Sequence, residues 1–153
     1  MVSAKLRNLA MLTALLPFVI GIVSVSGCIL LQPIEPIDQI IENITAREAF
    51  DLIQENKDNP DFVILDVRTP EEFLMEHIEG AINLDYYSET FREELDKLDK
   101  GKTYLMHCRS GGRSAKALTI MEELDFLQVY HMMDGILGWK AEEFPLVSSQ
   151  QNE

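Results

Sequence analysis

Short apolar runs alternate with longer amphipathic stretches through most of this chain. Phe62-Val63-Ile64-Leu65 is apolar without interruption. A strand reads this way when both of its faces are covered, as in a parallel sheet. Similar runs at 103–107 and 129–132, and briefer ones at 39–41 and 81–84, predict further strands. Between them lie helical patterns with recognisable starts. Thr45 and Glu48 form one capping box and Thr69 and Glu72 a second, with Pro70 at the favoured first helical position. The first helix carries Ala49, Phe50, Leu52 and Ile53 and stops around 56–60. Residues 88–98 read as an acidic amphipathic helix with Phe91, Leu95 and Leu98 on one face. Residues 114–124 form a helix offering Ala115, Leu118, Ile120 and Met121 to the core, and 136–142 a last one around Trp139. Strands separated by helices predict an α/β fold, a central mostly parallel sheet with helices on both faces.

The first 38 residues follow another pattern. Lys5 and Arg7 precede a charge-free apolar run that ends Val25-Ser26-Gly27-Cys28. A basic start, an apolar stretch and small residues before a cut describe a secretory signal. The end of the run resembles a lipobox, where prokaryotic lipoproteins are cleaved and acylated on the cysteine. Residues 1–27 are therefore expected to be a signal peptide and Cys28 a lipidation site. The alternative is an uncleaved spanning helix over 9–31, which is long enough to cross a bilayer. Both readings place the domain outside the cytoplasm and on a membrane. Residues 28–38, with Pro33 and Pro36, read as a tether, 39–147 as one folded domain, and 148–153 as a tail.

Composition is that of a globular protein, 46% hydrophobic and 25% charged. The formal net charge of -13 argues against nucleic acid as a partner, since polyanions reward basic surfaces. Charge is unevenly spread. No acidic residue falls between Asp99 and Glu122, yet Lys100, Lys102, Arg109, Arg113 and Lys116 do. That basic island suggests a site for a small anion.

Inside the island lies His107-Cys108-Arg109-Ser110-Gly111-Gly112-Arg113-Ser114. It falls where a strand ends and a helix begins, the usual ligand position in open α/β sheets. A tight loop there points successive N–H groups at one spot. Gly111 and Gly112 are expected to let it curl. A Cys108 thiol at the centre of such a cradle is favoured as thiolate by the N–H groups, the helix dipole and the arginines.

These residues, together with Leu65-Asp66-Val67-Arg68-Thr69-Pro70-Glu71-Glu72-Phe73, His77-Ile78-Glu79-Gly80-Ala81-Ile82-Asn83 and a Gly135…Trp139…Pro145 pattern, resemble the single-domain rhodanese-like sulfurtransferases. The resemblance spans roughly residues 40–146. It implies the rhodanese fold and a nucleophilic Cys108 that takes sulfane sulfur from thiosulfate or a similar anionic donor as a persulfide. The sulfur then passes to a thiol, cyanide or a protein acceptor. It implies that Arg109 attracts the donor, that Arg113 shapes the loop or helps hold the anion, and that N–H groups from Arg109 through Ser110, Gly111, Gly112 and Arg113 to Ser114 stabilise the persulfide. Asp66 and Arg68 become a structural pair beside the loop. The chain departs from the family at Glu76 and Asp134, where glycine is common.

His107 precedes the nucleophile, but adjacent strand residues face opposite ways. It is expected to pack or hydrogen-bond rather than pair with Cys108. His77 and His131 lack a second ligand at metal spacing, so neither a metal nor a cofactor is expected. Two rivals remain. Phosphatases and arsenate reductases of a related kind resemble this loop but carry five residues between Cys and Arg. Here there are four, a smaller cradle suited to one sulfur atom. A non-catalytic binding module or persulfide carrier of the same fold is the other.

Overall fold

The computed structural model describes residues 38–149. The leader, Cys28, nearly all of the tether and residues 150–153 lie outside the described residues. Ten elements alternate: β1 (Ile40–Ile44), α1 (Ala46–Glu55), β2 (Phe62–Asp66), α2 (Pro70–Met75), β3 (Ile82–Asn83), α3 (Phe91–Asp96), β4 (Thr103–His107), α4 (Gly112–Glu123), β5 (Gln128–Met132) and α5 (Gly135–Ala141). The five strands form one sheet in the order β1-β5-β4-β2-β3, every pair parallel. The α/β class with helices on both faces is as the pattern predicted.

Alternation along the central strands explains the two cores. On β4, Tyr104 and Met106 join Leu65, Val129, Phe91, Leu95, Ala117 and Met121 on the face covered by α3 and α4. Leu105, between them, points the other way and joins Ile64, Met132, Ala46, Ala49, Ile136 and Trp139 under α1 and α5. The apolar run of β4 is therefore needed in full, because each side chain has a helix over it. Both capping boxes form. Thr45 Oγ1 accepts from the Glu48 N–H and Thr69 Oγ1 from the Glu72 N–H, and each glutamate returns to its cap backbone.

Three expectations shift in detail. α4 starts two residues early, at Gly112. Ala115 is exposed, and Ala117 takes the core place instead, because the buried stripe runs Ser114, Ala117, Leu118, Met121 at helical spacing and Ala115 falls off it. The acidic helix shortens to Phe91–Asp96, since Asp85, Ser88 and Thr90 spend their oxygens on a turn before it.

The three sequence signatures become one piece of structure. Arg68 Nε donates to both Asp66 oxygens at 3.0 and 2.8 Å, and Arg68 Nη2 to Asp66 Oδ2 at 2.6 Å and the Glu76 carbonyl at 2.7 Å. Asn83 Nδ2 donates to the Asp66 and Arg68 carbonyls, each at 2.9 Å. Trp139 Nε1 donates to the Pro145 carbonyl at 2.9 Å, and Phe144 packs edge-on to its ring. The two non-glycine departures are accommodated. Glu76 is extended, with φ -163°, and Asp134 is right-handed, with φ -81°, so neither position requires glycine.

Candidate active site

β4 ends at His107, and the chain turns at once into α4. Gly111 makes that turn possible. Its φ of +87° is left-handed, and a Cβ there would collide with the Met133 carbonyl. Gly112 is different: it opens the helix, and a Cβ would meet nothing within 4 Å. The expectation that both glycines curl the loop is corrected to Gly111 alone. From behind, the start of α5 braces the loop. Ile136 N–H donates to the Cys108 carbonyl at 2.9 Å and Leu137 N–H to the Arg109 carbonyl at 3.1 Å. This close approach requires Gly135, whose φ is +57° and whose Cβ would strike the Cys108 and Arg109 carbonyls.

Cys108 Sγ sits at the base of an open pocket of about 580 Å³. The pocket is lined by Thr69, Glu72, Tyr86, Tyr87, Cys108, Arg109, Ser110, Gly112, Arg113 and Lys116. Burial alone would push the thiol up. Hydrogen bonds from the Ser114 hydroxyl and from the N–H groups of Ser114, Ser110 and Arg113 outweigh it, and the thiol lies below its ordinary range. Ser114 Oγ is 3.3 Å from the sulfur. α4 is a twelve-residue helix whose first turn faces the sulfur, so its unpaired N–H groups and dipole act in the same direction.

The arginines divide their labour. Arg109 is exposed at the pocket mouth with Lys116. Arg113 is engaged: its Nη1 and Nη2 donate to Glu72 Oε2 and Oε1 at 2.6 and 2.9 Å, and its guanidinium lies 5.6 Å from the centre of the Tyr87 ring. That bidentate bond, foremost, holds the Glu72 carboxyl below the usual carboxylate range. Glu72 appeared in the sequence only as a helix cap. It serves as both, one carboxylate closing α2 and clamping the loop.

The histidines resolve separately. The His107 ring is fully buried and faces Asp66, with Nδ1 3.3 Å from the Cys108 carbonyl and Nε2 3.9 Å from Asp66 Oδ2, beyond hydrogen-bond reach. Burial first of all lowers its pKa and favours the neutral ring. His77 stacks on Phe73 at 4.0 Å and its Nδ1 meets the Phe73 carbonyl at 2.9 Å. His131 lies behind the site, its Nε2 2.8 Å from Ser114 Oγ. Nothing in the local sequence links residues 43, 114 and 131; the β1–β5 pairing and the seat of α4 bring them together. Among the described residues, no three His, Cys, Asp or Glu side chains cluster as a metal site requires.

Residues 49–142 match the rhodanese-like domain family. The chain belongs to that family. Among curated relatives of this rhodanese-like chain is the probable adenylyltransferase/sulfurtransferase MoeZ of Mycobacterium tuberculosis, 31% identical over 102 residues that cover 67% of this chain and 25% of MoeZ. The tRNA uridine(34) hydroxylase of Yersinia pestis is 38% identical over 101 residues, 61% of this chain and 28% of that enzyme. The chain thus spans about a quarter of these relatives. A rhodanese-related protein from Thermoplasma volcanium superposes with a TM-score of 0.57 at 30% identity, covering 69% of this chain and 97% of that one. A rhodanese-like domain protein from Staphylococcus aureus gives 0.55 at 28% identity, covering 64% and 90%.

Proposed function

We propose that this rhodanese-like chain is a sulfurtransferase that carries sulfane sulfur on Cys108, with thiosulfate or a similar anion as donor. The observation that carries the reading is the convergence of the Ser110, Arg113 and Ser114 N–H groups and the Ser114 hydroxyl on one buried sulfur at the foot of an open pocket. Those donors stabilise a thiolate, and they would equally stabilise the terminal sulfur of a persulfide. The thiolate attacks the outer sulfur of thiosulfate. A new S–S bond forms, the old one breaks, and sulfite leaves with its electron pair. A thiolate or cyanide acceptor then attacks the outer sulfur, and Cys108 leaves as thiolate. Because Glu72 neutralises Arg113, attraction of the anionic donor falls on Arg109 and Lys116 at the mouth.

Thiosulfate treatment of the fragment from Gln39 onward should add one sulfur atom to Cys108, and cyanide should discharge it as thiocyanate. Cys108→Ser should do neither. Sulfur transfer that survives in Cys108→Ser, or aryl phosphate hydrolysis without sulfur uptake, would sink the mechanism.

For location, we propose an extracytoplasmic domain anchored through lipid on Cys28, on the strength of the lipobox-like Val25-Ser26-Gly27-Cys28. Two or more acyl chains hold a protein on a bilayer where one is marginal, at about 0.8 kcal/mol per buried CH₂. Intact mass of the membrane-extracted protein tests this: a diacylated chain beginning at Cys28 is expected, and an unprocessed Met1 start contradicts it.

A further inference from the structure

Behind Cys108 runs a line of hydrogen bonds that the sulfur chemistry alone does not use. Ser114 Oγ is 3.3 Å from Cys108 Sγ and 2.8 Å from His131 Nε2, and His131 Nδ1 is 2.8 Å from Asn43 Oδ1. Cys108, Ser114 and His131 are buried, whereas Asn43 is exposed at the outer strand β1. The line therefore leads from the base of the pocket to the edge of the sheet.

Its proton positions are constrained. With the Asn43 amide turned so that Oδ1 meets the ring, that oxygen can only accept, so His131 Nδ1 carries hydrogen and donates to it. A neutral His131 then has a lone pair on Nε2, and the Ser114 hydroxyl hydrogen must point there. In that state the hydroxyl has no hydrogen for sulfur, and the Cys108 thiol donates to Ser114 Oγ. When Cys108 is a thiolate the direction reverses. Ser114 gives its hydrogen to the sulfur, with the Gly111 carbonyl at 3.1 Å as second acceptor. His131 Nε2 must then donate to Ser114, which makes the ring an imidazolium.

We propose that Ser114, His131 and Asn43 form a proton relay in which His131 holds the proton that leaves the Cys108 thiol. In the transfer the Sγ–H bond breaks and a bond to Ser114 Oγ forms. The original Ser114 O–H bond breaks and an Nε2–H bond forms. No hydrogen is lost, and a thiolate–imidazolium pair replaces a thiol and a neutral ring. His131 touches no substrate in this scheme; it is a positioning residue that acts through Ser114. The groups facing the line are the Gly111 carbonyl and Ser114 at the start of α4, Asn43 on β1, and Arg113 beside the sulfur, itself paired with Glu72. Burial by itself favours neutral His131, so a charged ring there requires the thiolate as its partner.

The proposal rests on the reading of Cys108 as a reactive thiolate, but its test needs no sulfur transfer. The ultraviolet absorbance of the thiolate and the rate of iodoacetamide alkylation are followed against pH. His131→Gln keeps a hydrogen-bonding side chain that cannot take the proton, and it should raise the midpoint. Below the midpoint, alkylation should slow about tenfold for each pH unit of that rise. Asn43→Asp places a carboxylate against Nδ1–H, favours the imidazolium, and should lower the midpoint. A purely structural role would not move the two variants in opposite directions. In the unsubstituted protein, ¹⁵N resonances of the His131 ring should report loss of its proton at higher pH than in Cys108→Ser. That measurement stands even if a His131 variant fails to fold. An unchanged midpoint in a folded His131→Gln, a shift of both variants in one direction, or a His131 titration indifferent to Cys108→Ser overturns the relay. Failure of thiosulfate to load Cys108 would instead remove the proposed reaction and leave these titrations as they are.

Discussion

Glu72 carries two jobs on one carboxylate. As the third residue of α2 it caps the helix, and across 41 positions of sequence it clamps Arg113 at the start of α4. The clamp orients the first turn of α4, whose N–H groups set the state of the Cys108 thiol. Its pH dependence follows from the lowered Glu72 pKa. A carboxyl whose folded pKa is depressed adds stability that is fully present above the unfolded value, and that stability is lost as pH falls through the folded value. The clamp should therefore hold at neutral pH and release only below the usual carboxylate range. Because Glu72 is partly exposed, Glu72→Gln is expected to cost little global stability, of the order of 1 kcal/mol or less. Its effect should fall on the loop: with Arg113 no longer neutralised beside the sulfur, a lower pH midpoint for Cys108 alkylation, measured beside a nearly unchanged melting temperature. A Glu72→Gln protein with the parent alkylation profile would contradict the coupling.

Among the elements, the helix starts are the most literal translations of sequence into structure. Thr45 and Thr69 each satisfy an N–H that the first turn of a helix leaves unpaired, and the glutamate three residues on returns the bond. Thr45→Ala should cost about 1 kcal/mol in denaturant unfolding, the usual worth of such a cap. Thr45 is not among the residues that line the pocket, so sulfur loading of Cys108 should be unaffected. A loss of loading in that variant would mean that the cap supports the site through the packing of α1 on α5, which braces the loop. α4 lacks such a cap. Its N-cap is Gly111 in a left-handed conformation, with no side chain to pair the first N–H groups. Those groups are left for the sulfur and its ligands, so the absence of a capping side chain is what opens the site.

For the molecule as a whole, the sheet is the frame that fixes the loop. β4 is central, paired on one side with β2 and on the other with β5, and it ends one residue before Cys108. Leu105 is completely buried against Ile64, Met132 and Trp139. Leu105→Ala should destabilise the fold by roughly 2–5 kcal/mol, read by denaturant titration, through lost burial and the cavity left behind. A cost below about 1 kcal/mol would mean that the two-sided core is looser than the packing indicates.

Much of this arrangement was legible in the residues themselves. The uninterrupted apolar runs identify strands covered on both faces, and the paired Thr and Glu positions identify helix starts to the residue. Cys108 at a strand–helix junction followed by Gly111 marks the candidate nucleophile, and His107 beside it is excluded as its partner by the alternation of a strand. Each of these rests on interactions within a few residues, where spacing is enough. What local spacing could not contain was decided by the order of strands. Placing β5 between β1 and β4 puts His131 next to Asn43 and against Ser114, residues separated by 88 and 17 positions. The packing of α2 against the start of α4 turns a helix cap into the partner of Arg113 and takes that arginine's charge out of the pocket. Gly112, alike to Gly111 in sequence, proves free of steric demand because only one of the two backbones lies under the Met133 carbonyl. Long-range register and close backbone approach are properties of the folded sheet, and they settle which of the loop's neighbours act on the sulfur.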